Sequence, residues 1–529
     1  MRSSRRSSAG ALIAVGSVLF AGASPSEPAG DCPEERARLL VALSAPLDAA
    51  GRARLSAGQA RVRHEFPEIS AVAIDMPSAK AADLLQGLGA VAVEEDVPRW
   101  PLETRWQGEL QPKRNNGLYG LITTGAKAAQ ASGATGAGAT VCIADTGIDV
   151  HHPDIEPKYR GGIDTVNDDS NPDVGAEVSE THGTHVAGIA IAALNGVGVR
   201  GVAYAAELYH ARVIRESGGS TSDIMAGVQH LVTQRGCKVV NLSLGGSRPS
   251  NIERQFYSDL WQRGVVVVAA AGNEETDEIS YPAGYPEVIA VGAVDRANEH
   301  ADFSNTGAGL DLSGPGVGVL SSVPRGTGRD AEVAVGPHHY SAIGLEFAGT
   351  TAGIADQLIN CGTGNSASEF PAAVAGKLAL IQRGEEFFSV KVENAMNAGA
   401  RAAVIYDNVL DDSLGQWTLQ TPRTSDGRPW IPTVGVSGKT GRALLRAAGG
   451  DATLVSIESD WEYFSGTSMA APHVTGTAAL VLAVNPALSN AEVEAILEQT
   501  AKDLGPRGYD TTFGWGLVNA KAAVLAAQP

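Results

Sequence analysis

Short apolar runs recur from residue 139 onward, at 139–144, 208–213, 238–244, 265–270 and 288–294. Runs of that length, made mostly of apolar residues, suit strands buried on both faces. Stretches at 222–234 and 252–263 carry apolar residues at helical spacing between them. Apolar strands alternating with helices predict an α/β domain built on a doubly wound, mostly parallel sheet. The pattern breaks near residue 325 and resumes at 453–458, followed by a long apolar helix at 469–484. The intervening block, 330–452, is Gly-rich and β-rich and reads as an insertion that interrupts one domain.

The N-terminal region has a different texture. Residues 39–43 read as a strand, 48–61 as a helix, 69–74 as an alternating strand, 79–88 as a helix and 91–96 as a strand. That order predicts a small α+β sandwich over 35–100. Residues 97–138 are irregular, with Pro98, Pro101, Pro112, Asn115-Asn116-Gly117 and a Gly/Ala/Ser run at 132–138. Here the chain changes domain or is cut. At the front, Arg2, Arg5 and Arg6 precede an apolar stretch at 9–20 and the small-residue triplet Ala21-Gly22-Ala23. This is the pattern of an export signal over 1–23, so a secreted product with no membrane segment after its removal is expected. The expected order is thus signal 1–23, sandwich 35–100, linker and arm 101–138, a first α/β segment 139–329, insert 330–452 and a closing α/β segment 453–529.

Composition narrows the function classes. Hydrophobic residues make up 43% of the 529 and charged residues 19%, which excludes a wholly disordered chain. Acidic residues outnumber basic ones 59 to 40, and a net charge of −19 opposes nucleic-acid binding. Cys142 and Cys237 lie inside or beside Val/Ile-rich strand patterns, where small buried hydrophobes are the expected role.

Three motifs fall at the edges of the α/β elements. Val141-Cys142-Ile143-Ala144-Asp145-Thr146-Gly147-Ile148-Asp149 is a strand ending in an acid and a glycine turn. His182-Gly183-Thr184-His185-Val186-Ala187-Gly188 opens a small-residue helix. Gly466-Thr467-Ser468-Met469-Ala470-Ala471-Pro472-His473 places a serine at the start of the long apolar helix. The carboxyl ends of parallel strands are where such sheets hold their sites, and helix N-termini favour negative charge. A serine hydroxyl needs a base to take its proton and an acid to orient that base. In order and wording the three motifs resemble the subtilisin-like serine proteases. The resemblance implies that Asp145 orients His182, that His182 is the general base and that Ser468 attacks the scissile carbonyl. It implies structural roles for His185 and His473. It also makes Asn273, at the end of an apolar strand, a donor to the tetrahedral oxyanion.

The resemblance extends to most of the chain. Ser243, Leu244, Gly245 and Gly246 match the strand that pairs with extended substrate, and Tyr281-Pro282-Ala283-Gly284 the far wall of its main pocket, with Ser280 near the base. No lone acid stands where it would floor that pocket, so broad preference is expected. Two calcium sites are implied: one from Asp154 with Leu194, Asn195, Val197 and Val199, the other from Asp164, Asp169, Asn171 and Asp173. Calcium would be structural, and no organic cofactor is expected. Residues 35–100 resemble an inhibitory propeptide, which makes the chain's own propeptide an intramolecular inhibitor beside protein or peptide substrates. The insert resembles a protease-associated domain, with Glu386 standing where that domain's second cysteine would pair with Cys361. The expected activity is a self-processing secreted serine endopeptidase. Its alternatives are a narrow processing protease and a binding protein on a retired protease fold.

Overall fold

The structure is a computed structural model that describes residues 36–102, 118–175, 180–409 and 417–529. The export signal and the stretch 103–117 lie outside the described residues. The chain divides into two compact units, Met1–Asp96 and Val97–Pro529.

The first unit runs β-α-β-β-α-β, with a strand at Arg61–Phe66 that adds to the elements expected. Its antiparallel sheet runs Arg61–Phe66, Ala71–Pro77, Arg36–Leu43, Ala90–Glu95. Val41, Leu43, Leu55, Val72, Ile74 and Met76 form its core. Asp48 caps the first helix by accepting the Gly51 N–H at 2.7 Å. That helix, Ala49–Ala57, stops four residues before the expected end at 61, because Gln59 adopts φ 62° and Arg61 already begins a strand.

In the second unit seven parallel strands form one sheet. Their spatial order is Leu312–Pro315, Ile289–Val294, Val266–Ala270, Val239–Leu242, Thr140–Asp145, Glu207–Arg212, Tyr159–Asp164. The chain enters at Thr140–Asp145, fills one side, then crosses to Val239–Leu242 and fills the other. Strand order therefore reverses between those two neighbours, and the crevice beyond their carboxyl ends is the natural place for a site. Cys142 and Cys237 form a disulfide with Cα atoms 6.1 Å apart, which corrects the expectation of two buried thiols. The pairing follows from strand order: Cys142 lies beside Val240, which brings Cys237 within reach.

The helix Thr467–Val484 is long and apolar enough to cross a membrane, but 83% of it is buried within the protein. Met469, Ala479 and Leu480 join the core that holds the helix His182–Ile191, while Ala470, Ala471, Val474, Ala478 and Val481 join the core on Val266–Ala270 and Ile289–Val294. A helix apolar on every side is what two facing cores require.

The insert is a closed barrel of seven strands from Gly328–Val335 to Asp451–Ser459. Residues 453–458, expected in the parallel sheet, belong to the strand that closes this barrel by pairing with Gly328–Val335 and Thr351–Asn360. Its burial alternates from residue to residue, as a barrel wall requires, whereas the parallel strands are buried throughout. The barrel's stems rejoin the α/β unit through antiparallel pairing of Val319–Ser322 with Trp461–Phe464. Cys361 is a free buried thiol, pushed by burial up to about 11 and so held in its unreactive form.

Candidate active site

Asp145 ends its strand at the crevice, and its Oδ1 lies 2.6 Å from His182 Nδ1 while accepting the Thr146 N–H at 2.7 Å. His182 opens the helix His182–Ile191. The close seat of that helix depends on Gly183, since a Cβ there would fall 2.6 Å from the carbonyl oxygens of Thr146 and Gly147. Ser468 lies in the first turn of Thr467–Val484, fully buried. Its Oγ donates to the Ser243 carbonyl at 3.0 Å and lies 3.4 Å from the Leu102 carbonyl oxygen. His182 Nε2 is buried without a partner among the described residues. The first two predicted residues are thus in direct contact. The third faces the same crevice with its hydroxyl turned to Ser243.

Asn273 is held by its carbonyl end, which accepts both the Thr467 N–H and the Thr467 hydroxyl at 2.9 Å. Its amide NH2 is the donor end, and Thr467, to which the other end is tied, directly precedes Ser468 in the chain. Leu244–Gly245 pairs antiparallel with Pro98–Pro101, Leu244 against Pro101 and Gly245 against Trp100. On its other side Pro98–Pro101 pairs with Gly219–Ser220. This stretch, expected to be irregular because of its prolines, is an extended strand laid between two others. Gly245 leaves room beside Leu102, whose Cδ1 would lie 3.6 Å from a Cβ there, and beside Ser280. Gly246 and Tyr281 exchange backbone hydrogen bonds at 3.0 and 2.8 Å.

Residues 136–406 and 420–516 match the Subtilase family, about seven-tenths of the chain. The chain belongs to that family. Subtilisin Savinase of Lederbergia lenta is 44% identical over 210 residues, 40% of this subtilase and 75% of that protein. An alkaline protease of Shouchella clausii is 40% identical over 266 residues, half of this chain. The match spans 65% of that relative and 55% of Subtilisin E from Bacillus subtilis. Apa1, a psychrophilic subtilisin-like protease of Pseudoalteromonas sp. AS-11, superposes with a TM-score of 0.58 at 32% identity, covering 77% of this chain and 96% of its own. Fervidolysin from Fervidobacterium pennivorans shares the fold, with a TM-score of 0.60 at 24% identity over 95% of this chain and 63% of that one.

Electrostatics separate the histidines of this subtilase. Burial works against charge on His182, yet the charge and hydrogen bond of Asp145, with a contribution from Glu216, raise its pKa above the usual histidine value. Burial pulls His185 down to about 3 and His473 down to about 4. Both are neutral and tied to carbonyls, His185 Nε2 to Val319 and Glu462 at 3.1 Å and His473 Nδ1 to Met469 at 2.8 Å.

Three supporting residues have no sequence signal, being single charges in unremarked loops and one strand end. Glu180 accepts the Gly147 N–H at 2.9 Å and the Arg212 Nε at 2.8 Å, and Arg212 also reaches Asp164 at 2.7 Å. This buried network braces the turn after Asp145. Glu216 accepts the N–H groups of Thr181 and His182, both at 3.1 Å, placing negative charge at a helix N-terminus.

The two loops expected to hold calcium are filled by donors. Asp154 is fully buried and accepts from Trp461 Nε1 at 2.7 Å, Asn195 Nδ2 at 2.9 Å, Ser322 Oγ at 3.1 Å and the Val199 N–H at 3.3 Å. Asn195 Oδ1 accepts the Val197 N–H at 3.0 Å, and Leu194 and Val197 are exposed. Asp164 accepts the N–H groups of Val166 and Asn167 as well as Arg212. Asp169, Asn171 and Asp173 each accept the backbone N–H two residues on. Calcium needs several oxygens facing one point with no hydrogens between them. At the first loop the four donors around Asp154 do not fit a calcium ion, and at the second Arg212 supplies positive charge beside Asp164. Among the described residues, carboxylates converge instead at Asp311, Glu494 and Glu498.

Proposed function

We propose that this subtilase is a secreted serine endopeptidase made as a precursor that cuts itself after Leu102. The observation that carries the reading is the Leu102 carbonyl beside Ser468 Oγ, on a strand held as substrate by Leu244–Gly245 and Gly219–Ser220. In the first step Oγ turns from the Ser243 carbonyl and attacks the carbonyl carbon, giving its proton to His182 Nε2. Asp145 stabilises the resulting imidazolium. Asn273 Nδ2 and the Ser468 N–H take the oxyanion, and one such donor lowers the barrier by about 3–4 kcal/mol. The C–N bond then breaks and the amine leaves with the His182 proton. Water attacks the acyl-enzyme and gives its proton to His182, which passes it to Ser468 Oγ as the ester C–O bond breaks and the acid is released.

Strand pairing recognises main chain whatever its side chains, so this aspect of recognition favours no particular sequence. The narrow-specificity reading is favoured by one observation, the buried ion pair at Arg99. The test of self-processing is expression of the full chain followed by N-terminal sequencing and mass measurement. A mature enzyme beginning at Glu103 and a released fragment ending at Leu102 are expected. A first cut elsewhere, or none in a folded chain with a reactive serine, overturns the reading.

Because His182 must be neutral to act as base, activity is lost as pH falls through its raised pKa. A pH–rate profile should show its acid limb above the usual histidine value of about 6.5. A limb below it would contradict the dominance of the Asp145 charge.

A further inference from the structure

The residue three places before Leu102 is Arg99, and it is fully buried. Its Nη2 lies 2.5 Å from Glu253 Oε2, with both side chains shielded from solvent. Nη1 lies 3.2 Å from the Pro98 carbonyl. The guanidinium runs over Gly246, where a Cβ would stand 3.3 Å from Nη1 and 3.5 Å from Cδ. Tyr285 Oη is 2.8 Å from the same Glu253 oxygen and 2.9 Å from the Ser250 carbonyl, and it accepts the Ser250 N–H at 2.8 Å. Glu253 itself sits in the first turn of Asn251–Gln262, whose N-cap is Ser250. The carboxylate is thus held by a helix end and a tyrosine that belong to the α/β unit, while its cation arrives on the strand that occupies the substrate groove.

We propose that Glu253 is a specificity-determining residue that makes this pocket select arginine as the fourth residue before the cleaved bond. The proposal rests on the protease reading above and names the side chain that reading leaves open. Two physical points carry it. When the cut precursor strand leaves, Glu253 loses the guanidinium that pairs with it in a dry site, and a buried carboxylate deprived of that partner is costly. A substrate arginine restores the pair, whereas an apolar side chain of similar length does not. A site built to pair a buried polar group rejects an analogue lacking the partner far more strongly than an apolar pocket rejects a misfit. The geometry also suits arginine over lysine, since one nitrogen reaches the carboxylate while another reaches a backbone carbonyl. Preference therefore lies at this pocket, away from the acidic loop 274–278, whose Glu274 turns inward to the Asn273 N–H and Asn305 Nδ2.

The test uses the full chain after it has matured, with active sites counted by a fluorophosphonate that labels an activated serine. Two peptides, Arg-Trp-Pro-Leu and Leu-Trp-Pro-Leu, each carry a coumarin amide after the last leucine. For the wild type the ratio of kcat/KM, arginine over leucine, should be roughly tenfold or more. Glu253→Gln, nearly identical in shape, should bring the ratio down to about one to threefold. The wild-type ratio alone decides the matter should the variant fail to fold. A labelled enzyme that cuts both peptides equally, or a folded Glu253→Gln that keeps the wild-type ratio, overturns this proposal and leaves the protease reading standing. A folded chain that neither labels nor cuts either peptide overturns both.

Discussion

Ser468→Ala should lower peptide turnover on the order of 10⁶-fold and leave the chain uncut after Leu102. That magnitude is the one established for subtilisin itself; the geometry of this chain supplies the direction. Ser468 is the hydroxyl at the crevice within 3.4 Å of the carbonyl oxygen on the inserted strand. Alanine is a good helix former and fits the space in Thr467–Val484, so the backbone has no reason to move. The fold loses one hydrogen bond to Ser243, worth about 1 kcal/mol. Steady-state kinetics with thermal unfolding separates the two effects: turnover vanishes while Tm shifts by a few degrees at most. Undiminished cleavage by the pure variant would remove Ser468 from the mechanism.

Asp145→Asn should cost about 10⁴-fold in kcat, again a magnitude known for this class of mechanism. Asparagine matches the shape of Asp145 and can keep the Thr146 N–H, but it carries no charge to offset the burial of a protonated His182. With the Asp145 charge gone, burial acts on His182 with less opposition, so its pKa falls. The acid limb of the pH–rate profile should then move to lower pH even as the plateau drops. That pair of changes distinguishes loss of the charge from a general loosening of the site, which lowers the plateau without moving the limb downward. A loss under about a hundredfold would mean that His182 is oriented by something other than Asp145.

Much of the site was legible because each motif is decided by its nearest neighbours in sequence. An apolar strand running into Asp145, a helix opening at His182 and another opening at Ser468 follow from local pattern, and Gly183 marks the close approach that seats the second of them. The two loops expected to hold calcium carry hydrogen bonds that the sequence did not announce. Alternating Asp and Asn in 164–173 read as oxygen ligands, yet the same spacing serves turns in which each side chain accepts a backbone N–H. At Asp154 the decisive group is Trp461, 307 residues away and carried in by the stem of the barrel.

By itself the sequence determined the α/β class and pointed to an insert, to a sandwich at the N-terminus and to Asp145, His182, Asn273 and Ser468 as candidates. These depend on periodicity, on turn and cap residues and on short motifs, all readable over a few turns of chain. Only the tertiary structure decided the Cys142–Cys237 bond, the assignment of Asp451–Ser459 to the barrel, the strand Pro98–Pro101 in the groove and the meeting of Arg99 with Glu253 across 154 residues. Each of these depends on which strands become neighbours. Strand order is settled by how whole faces are buried, so no window of sequence contains it.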